Sequence, residues 1–212
     1  MIKIENIDVY GWESAIRGMR NPLNSWKRSD SCFTEHGVSV GDNDLGLMQR
    51  LFKGGTEHRK YMRYINVTMD ITASHTWWAE FDTYKVGTVR NSCSKMHKIH
   101  VKEFVRDDFD HEGIDAVGGM AEVQFQNTID TLEWLRQEFN ETGEKKYWRA
   151  IIELLPMGYR IKATVQMNYE VAVNIIRQRK GHKLVEWHEM VNVLLDLPYM
   201  KAIMGEGNEQ NR

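Results

Sequence analysis

The clearest periodic segment of the chain runs from Tyr159 to Asn168, where apolar and polar residues alternate. Every second residue is apolar: Tyr159, Ile161, Ala163, Val165 and Met167. A period of two is typical of a strand with one buried face. Asn168 ends the alternation, and its short amide side chain is suited to cap a helix that runs through Ile176. The pattern therefore predicts a strand that leads into a helix, which Gly181 ends.

The same kind of pattern predicts elements along most of the chain. Strands are predicted at 1–10 and 65–71, and helices at 12–19, 45–52, 77–84, 120–140, 144–155 and 182–197, the last with Val185 facing inward. Residues 21–44 are polar and rich in turn-forming residues, which favours a long surface loop. We therefore expect an α/β (α+β) fold, with a mostly antiparallel central sheet flanked by long helices.

The composition predicts one globular domain. The chain has 212 residues, 42% of them hydrophobic, and only three prolines, with no repeat and no Pro- or Ser-rich linker. We expect a single domain over 1–204 and a flexible tail over 205–212. The N-terminus lacks the apolar stretch of a signal peptide, and no run of about 18 apolar residues is present, so no membrane association is expected.

Charge and cysteine content narrow the classes of function. The formal net charge is −2, which argues against a nucleic-acid binder but allows a local basic pocket for one small phosphate. Cys32 and Cys93 are far apart and form no CxxC pair, so neither a zinc knuckle nor a disulfide framework is predicted. A reduced, cytoplasmic setting is the expectation.

The segment 155–186 carries polar residues at suggestive spacings. Asn168 and Asn174 can offer amide donors and acceptors to a flat heterocycle, and Arg179 can offer a two-pronged guanidinium to a phosphate. On residue types alone a structural interpretation is equally concrete. Asn168 would then be a helix cap, Asn174 a solvated helix residue, and Arg179 part of a basic last turn that the helix dipole favours.

The joint spacing in this segment resembles flavin-dependent thymidylate synthases. The chain has Leu155-Pro156, Asn168, Asn174 and Arg179, followed by His182 and Glu186. In that family the two asparagines contact the flavin and the arginine holds the nucleotide. The resemblance implies the same roles for Asn168, Asn174 and Arg179.

A second segment, WWAEFDTYKVGTVRNSCSKMH, resembles the region of the family that carries its Arg-His-Arg signature. Tyr84-Lys85-Val86 occupies the signature positions here, so the triplet is absent. Ser94 falls where the family has a serine, and Ser92 replaces its glutamate. Further departures are Met96 and Ile152, which both stand where the family has arginine. The resemblance implies Lys85 and His58 as further flavin-binding candidates and Arg90, Ser92 and Ser94 as nucleotide-binding candidates.

The resemblance implies a reductive methylation of dUMP, or of a related pyrimidine nucleotide, that uses FAD. NADPH and methylenetetrahydrofolate would take part if the full reaction is retained, and the chain would form a homotetramer with sites shared between subunits. No residue of the chain is predicted to act as a catalytic nucleophile. The first alternative is a degenerate homologue that binds a nucleotide or a partner without flavin chemistry. The second is a metal-dependent hydrolase that uses His182, Glu186 and other histidines.

Overall fold

The computed structural model describes residues 2–35 and 37–206, and within them strands and helices alternate along the chain. The strands are β1 (Lys3–Tyr10), β2 (Cys32–Thr34), β3 (Gly37–Ser39), β4 (Asn66–Ser74), β5 (Thr88–Ser92) and β6 (Arg160–Asn168). The helices are α1 (Trp12–Arg20), α2 (Asp42–Lys53), α3 (His75–Phe81), α4 (Lys95–Lys98), α5 (Glu112–Val117), α6 (Gly119–Thr142), α7 (Lys145–Leu154), α8 (Tyr169–Arg179), α9 (Val185–Leu195) and α10 (Met200–Met204). Short 3-10 turns lie at Asn21–Leu23, Trp26–Arg28, Lys60–Arg63 and Arg106–Asp108.

Four strands form the main sheet in the order β1-β4-β6-β5, and β2 and β3 form a separate antiparallel hairpin. The direction of β4 and β6 follows from two hydrogen bonds near their ends. The Tyr169 N–H donates to the Ile65 carbonyl at 2.9 Å, and the His75 N–H donates to the Tyr159 carbonyl at 3.1 Å. The start of each strand therefore lies beside the end of the other, so the pair is antiparallel. The predicted mixed fold with an antiparallel sheet is confirmed.

The two central strands each bury one face. In β6 the buried residues are those that the alternation predicts: Ile161, Ala163, Val165 and Met167. In β4 the buried apolar residues are Val67, Met69, Ile71 and Ala73, and Ser74 at its end is buried as well. Alternate burial is what a strand with one face against the core requires.

The residues group into two compact units. The described residues of unit 1 are 2–3, 70–83 and 90–164, and those of unit 2 are 4–35, 37–69, 84–89 and 165–206. Unit 1 has an apolar core on which α6 and α7 pack, with Phe109, Leu132 and Ile151 almost completely buried. In unit 2, Trp12 meets the Tyr169 ring edge-on at 5.5 Å between centroids. The single domain expected over 1–204 stays a prediction.

The predicted loop at 21–44 is wrong in part, because this stretch contains the β2–β3 hairpin and the first turn of α2. Each hairpin strand has only three residues, too few for an alternating pattern. The start of α2 is stabilised from outside the helix, since the Asp30 carboxylate accepts hydrogen bonds from the N–H groups of Asn43 and Asp44. Asp30 is 13 and 14 residues before these two N–H groups, so this cap leaves no local signal in the sequence.

Two predicted helix boundaries are also wrong. Helix α3 ends at Phe81, so Tyr84 lies beyond it. The last predicted helix starts at Val185, because the Leu184 N–H donates to Nδ1 of His182 and closes a turn there. As the first helical residue, Val185 is 59% exposed instead of facing inward. Helix α10 was not predicted, and residues 207–212 of the predicted tail lie outside the described residues.

Candidate functional site

Unit 1 contains a cavity of about 440 Å³ that we call the Arg90 cavity. Strand β5 and the residues after it contribute Arg90, Ser92, Cys93 and Lys95, and α3 contributes His75, Trp78 and Asp82. The remaining wall is mainly apolar and includes Ile152 and Ile161. Apolar walls with a few convergent polar groups are typical of small-molecule sites.

Arg90 is held in place by α3. Its guanidinium carbon lies 4.7 Å from the centroid of the Trp78 ring, and its Nη1 lies 3.2 Å from an Asp82 carboxylate oxygen. Trp78 is itself fixed, because its indole N–H donates to the Ile161 carbonyl at 3.1 Å. A cation stacked on a fixed ring loses little freedom when it binds an anion.

His75 lies in the cavity as a neutral imidazole. Burial, with the nearby positive charges of Lys95 and Arg90, lowers the pKa of His75 to about 4. Burial and Arg90 also lower the pKa of Lys95. The buried Nε2 of His75 has no hydrogen-bond partner within the described residues. The lining has two cations against one carboxylate, Asp82, together with an unpartnered imidazole nitrogen, so this cavity is suited to an anionic ligand that also offers a hydrogen bond.

The nucleotide-binding candidates in unit 1 fall in or beside this cavity. Arg90 and Ser92 both line it. Ser94 does not, and instead its hydroxyl accepts a hydrogen bond from the His97 N–H at 3.3 Å, which caps α4. The sequence reasoning missed His75 and Lys95, since an isolated His at a strand end and an isolated Lys match no motif. The signal in the sequence was position alone: His75 directly follows the predicted strand that became β4, and Lys95 directly follows the candidate Ser94.

In unit 2 the flavin-binding candidate Asn168 is the last residue of β6, directly before α8, and the candidate Asn174 lies within α8. Asn168 is the N-cap, since its Oδ1 accepts a hydrogen bond from the Val171 N–H at 3.0 Å. Asn174 is only half-buried, although every other residue from Tyr169 to Ile176 is buried. The Asn174 amide makes no hydrogen bond to the described part of the chain. A polar group exposed on a helix that is otherwise buried fits a ligand contact.

Arg179 lies at the end of α8 against two aromatic rings. Its Nε donates to the Tyr84 hydroxyl at 2.9 Å, and its guanidinium lies 4.5 Å from the centroid of the Trp187 ring. The Tyr84 hydroxyl donates in turn to the Gln178 side chain at 3.0 Å. Tyr84, which stands at the first position of the missing signature, therefore contacts the predicted nucleotide arginine.

The other candidates in unit 2 are exposed. Lys85 and His58 are both exposed, and Val86 is 91% exposed. Neither the Lys85 nor the His58 side chain forms a hydrogen bond or ion pair with the rest of the described chain, and only the His58 backbone N–H is bonded, to the Gly55 carbonyl. In unit 2, Asn174 fits a role in flavin binding, because its amide is available to hydrogen-bond a flat ring. The flavin-binding roles of Lys85 and His58 stay predictions.

The histidines that the structure describes show no arrangement suited to a metal ion. In the ranges that the structure describes, no group of three His, Cys, Asp or Glu side chains could hold one. His182 and His188 instead serve the turn before α9, where Nε2 of His188 lies 2.8 Å from the His182 carbonyl. The hydrolase alternative therefore has no support. Among the described helices, none combines the length and apolar character that crossing a bilayer needs.

Comparison with known proteins identifies the fold. No protein-family model and no curated protein matches the sequence. Among solved structures, the chain is similar to thymidylate synthase X (ThyX) from Helicobacter pylori with FAD and dUMP, with a TM-score of 0.69 and 16% identity over 96% of this chain and 97% of that one. The chain is also similar to another structure, of the flavin-dependent ThyX of the same organism complexed with FAD and dUMP. Here the TM-score is 0.66 and the identity 16%, over 95% of this chain and 97% of that one. The chain therefore has the fold of the flavin-dependent thymidylate synthases.

Proposed function

We propose that the chain is a flavin-dependent thymidylate synthase-like protein that binds dUMP or a related pyrimidine nucleotide together with FAD. The observation that carries the proposal is the Arg90 cavity, which combines two of the predicted nucleotide-binding residues with Lys95 and a neutral His75. The fold supports it, because both similar structures are described as holding FAD and dUMP.

In this proposal the protein binds and orients the nucleotide and the flavin, and the bound flavin would supply the hydride transfer. Arg90 and Lys95 balance the negative charge of the nucleotide, and Nε2 of His75 exchanges a hydrogen bond with it. Asn174 and Asn168 contact the flavin, and Arg179 adds positive charge for a phosphate. NADPH, methylenetetrahydrofolate, a cytoplasmic location and assembly into a homotetramer belong to the proposal as its further parts.

The test is to measure flavin and dUMP binding separately. We expect the purified protein to show flavin absorbance, or to gain it when FAD is added, and to bind dUMP in calorimetry. Replacing Arg90 with Gln should weaken dUMP binding about tenfold or more, since hydrogen bonds to charged groups contribute about 1.5–3 kcal/mol. Flavin absorbance should persist in that variant.

The matched control is Arg149→Gln, which removes one exposed guanidinium from α7 in the same unit. That variant should bind dUMP like the unmodified protein. Equal weakening by both substitutions would contradict the assignment of the Arg90 cavity. Protein that binds dUMP neither with nor without FAD would overturn the proposal as a whole.

A second candidate function is nucleotide binding without flavin chemistry. The observation that favours it is the replacement of the signature by Tyr84-Lys85-Val86, with Tyr84 engaged by Arg179 and Gln178. The two candidates differ in one measurement. A colourless protein that does not take up FAD but is stabilised by dUMP in thermal unfolding would select the second candidate.

A further inference from the structure

Unit 2 contains a cationic cavity that the proposed function does not use. It has a volume of about 600 Å³ and lies between the turn that follows α1 and the outer face of α2. Four of its lining residues are basic: Arg20, Lys27, Arg28 and Arg50. Its lining includes no carboxylate. We call it the Arg20 cavity.

Arg20 is a buried guanidinium with donor capacity to spare. Only 4% of it is exposed, and its Nε donates to Asp44 at 2.6 Å while its Nη1 donates to the Ser25 carbonyl at 3.2 Å. Its Nη2 is buried and has no hydrogen-bond partner in the described chain. Because an unsatisfied buried N–H is costly, a residue in this state in a cavity wall indicates a missing acceptor.

The other three cations are exposed and uncompensated. Lys27, Arg28 and Arg50 form no ion pair with any described residue. Two carboxylates of this region, Asp44 and Asp30, already accept hydrogen bonds from the chain. Asp44 accepts hydrogen bonds from Arg20 and from the hydroxyls of Ser29 and Ser31, and Asp30 caps α2. The positive charge of Lys27, Arg28 and Arg50 therefore has no counter-charge among the described residues and is left for an anionic ligand.

The loop that presents these cations is rigidly held. The Ser25 N–H donates to the Arg20 carbonyl at 3.1 Å, and the Ser29 N–H donates to the Trp26 carbonyl at 3.0 Å. The Trp26 indole N–H donates to the Asn21 side chain at 2.8 Å, so the ring is fixed although half of it is exposed. A fixed, exposed indole beside several cations can stack a flat ring whose phosphates reach the basic side chains.

We infer that the Arg20 cavity binds an aromatic ligand that carries a diphosphate, such as a nucleoside diphosphate. The phosphate oxygens contact the cations, and the ring stacks on Trp26. This inference goes beyond the proposed function, since the Arg20 cavity is lined neither by residues of the Arg90 cavity nor by Asn168, Asn174 or Arg179.

The test is calorimetric titration of the whole chain with three probes: ADP, inorganic pyrophosphate and adenosine. We expect ADP to bind more tightly than pyrophosphate and adenosine to bind most weakly. The double variant Lys27→Ala/Arg50→Ala should weaken both ADP and pyrophosphate binding by about tenfold or more. Trp26→Ala should weaken ADP binding and leave pyrophosphate binding unchanged.

The matched control is Lys53→Ala/Lys183→Ala, which removes two exposed positive charges from unit 2 outside the cavity. It should bind ADP like the unmodified chain. Equal ADP affinity in the two double variants, or no binding of ADP and pyrophosphate by the unmodified chain, would overturn the inference. The Arg90→Gln variant keeps the dUMP site and the Arg20 cavity apart, because it should weaken dUMP binding and leave ADP binding unchanged.

Discussion

At the scale of single residues, each buried charge among the described residues is matched by a partner far along the chain. Arg20 pairs with Asp44, and Glu170 accepts hydrogen bonds from Arg59 at 3.2 Å and from Arg63 at 2.5 Å. A buried charge requires such a partner, because transfer out of water is costly. The separation in sequence explains why the charge pattern alone did not reveal these pairs.

Asp44 offers a sharp test of that pairing. Burial raises its pKa, but hydrogen bonds from Ser31, Ser29 and Arg20 outweigh this effect, and the pKa lies below the ordinary value of 3.8. Replacing Asp44 with Asn should lower the free energy of unfolding by about 3–5 kcal/mol, because Arg20 is then buried without a counter-charge. Denaturant unfolding at neutral pH measures the loss.

Asp42 provides the control, since it is an exposed carboxylate in the same first turn of α2. The change Asp42→Asn also removes one negative charge, but it leaves the buried Arg20 paired with Asp44. An equal effect of the two substitutions would show that the helix dipole, not the buried pair, accounts for the loss.

His75 should make stability depend on pH. Its pKa is lowered to about 4, so between about pH 4 and its ordinary value of 6.5 the unfolded chain binds more protons than the folded one. Stability should therefore fall as the pH decreases through this window. In His75→Gln the decrease should be smaller, as thermal unfolding between pH 4 and 7 would reveal. An unchanged profile would contradict the assignment, and His97→Gln, at an exposed position, is the control.

At the scale of elements, the turn from β6 into α8 depends on a close approach by another segment. Gly87 has φ +86°, and a Cβ placed on it would lie 2.8 Å from Cγ2 of Val171 and 3.5 Å from Nδ2 of Asn168. The glycine thus lets the chain before β5 pass close to the capped start of α8. The alternation and the cap could be predicted from the sequence, but this approach could not.

Gly87→Ala should therefore destabilise the protein by about 1–2 kcal/mol, from the left-handed backbone and the contact with Val171 together. Denaturant unfolding is the measurement. Gly113→Ala is the matched control, because Gly113 lies in α5 and nothing occupies the space near its added methyl group. That substitution should be neutral or slightly stabilising, and a comparable loss in both variants would refute the role of Gly87.

At the scale of the whole molecule, long elements with one buried face could be predicted and short ones could not. Strands β4 and β6 and helix α6 each have nine or more residues, and each lies where its periodic pattern predicts an element. The three-residue strands β2 and β3 and the five-residue α10 depend on contacts with other parts of the chain. Such contacts leave no period in the sequence.

The candidate site residues also divide into those that a local pattern in the sequence reveals and those that depend on distant contacts. The spacing of Asn168, Asn174 and Arg179 selected residues in and next to α8, and the family resemblance selected Arg90 and Ser92, which line one cavity. His75 and Arg20 were not found, because their role depends on burial and on neighbours distant in sequence. Net charge was no guide either, since a total of −2 coexists with two cavities that are locally cationic.

Cys93 gives the Arg90 cavity a practical property. Its thiol is exposed and lies in the cavity wall, whereas the other cysteine, Cys32, is exposed on the β2–β3 hairpin of unit 2. Replacing Cys32 with Ser would leave one thiol for covalent labelling. The rate at which a maleimide modifies that thiol would then report directly whether the cavity is filled, with no need for a coloured cofactor or an activity assay.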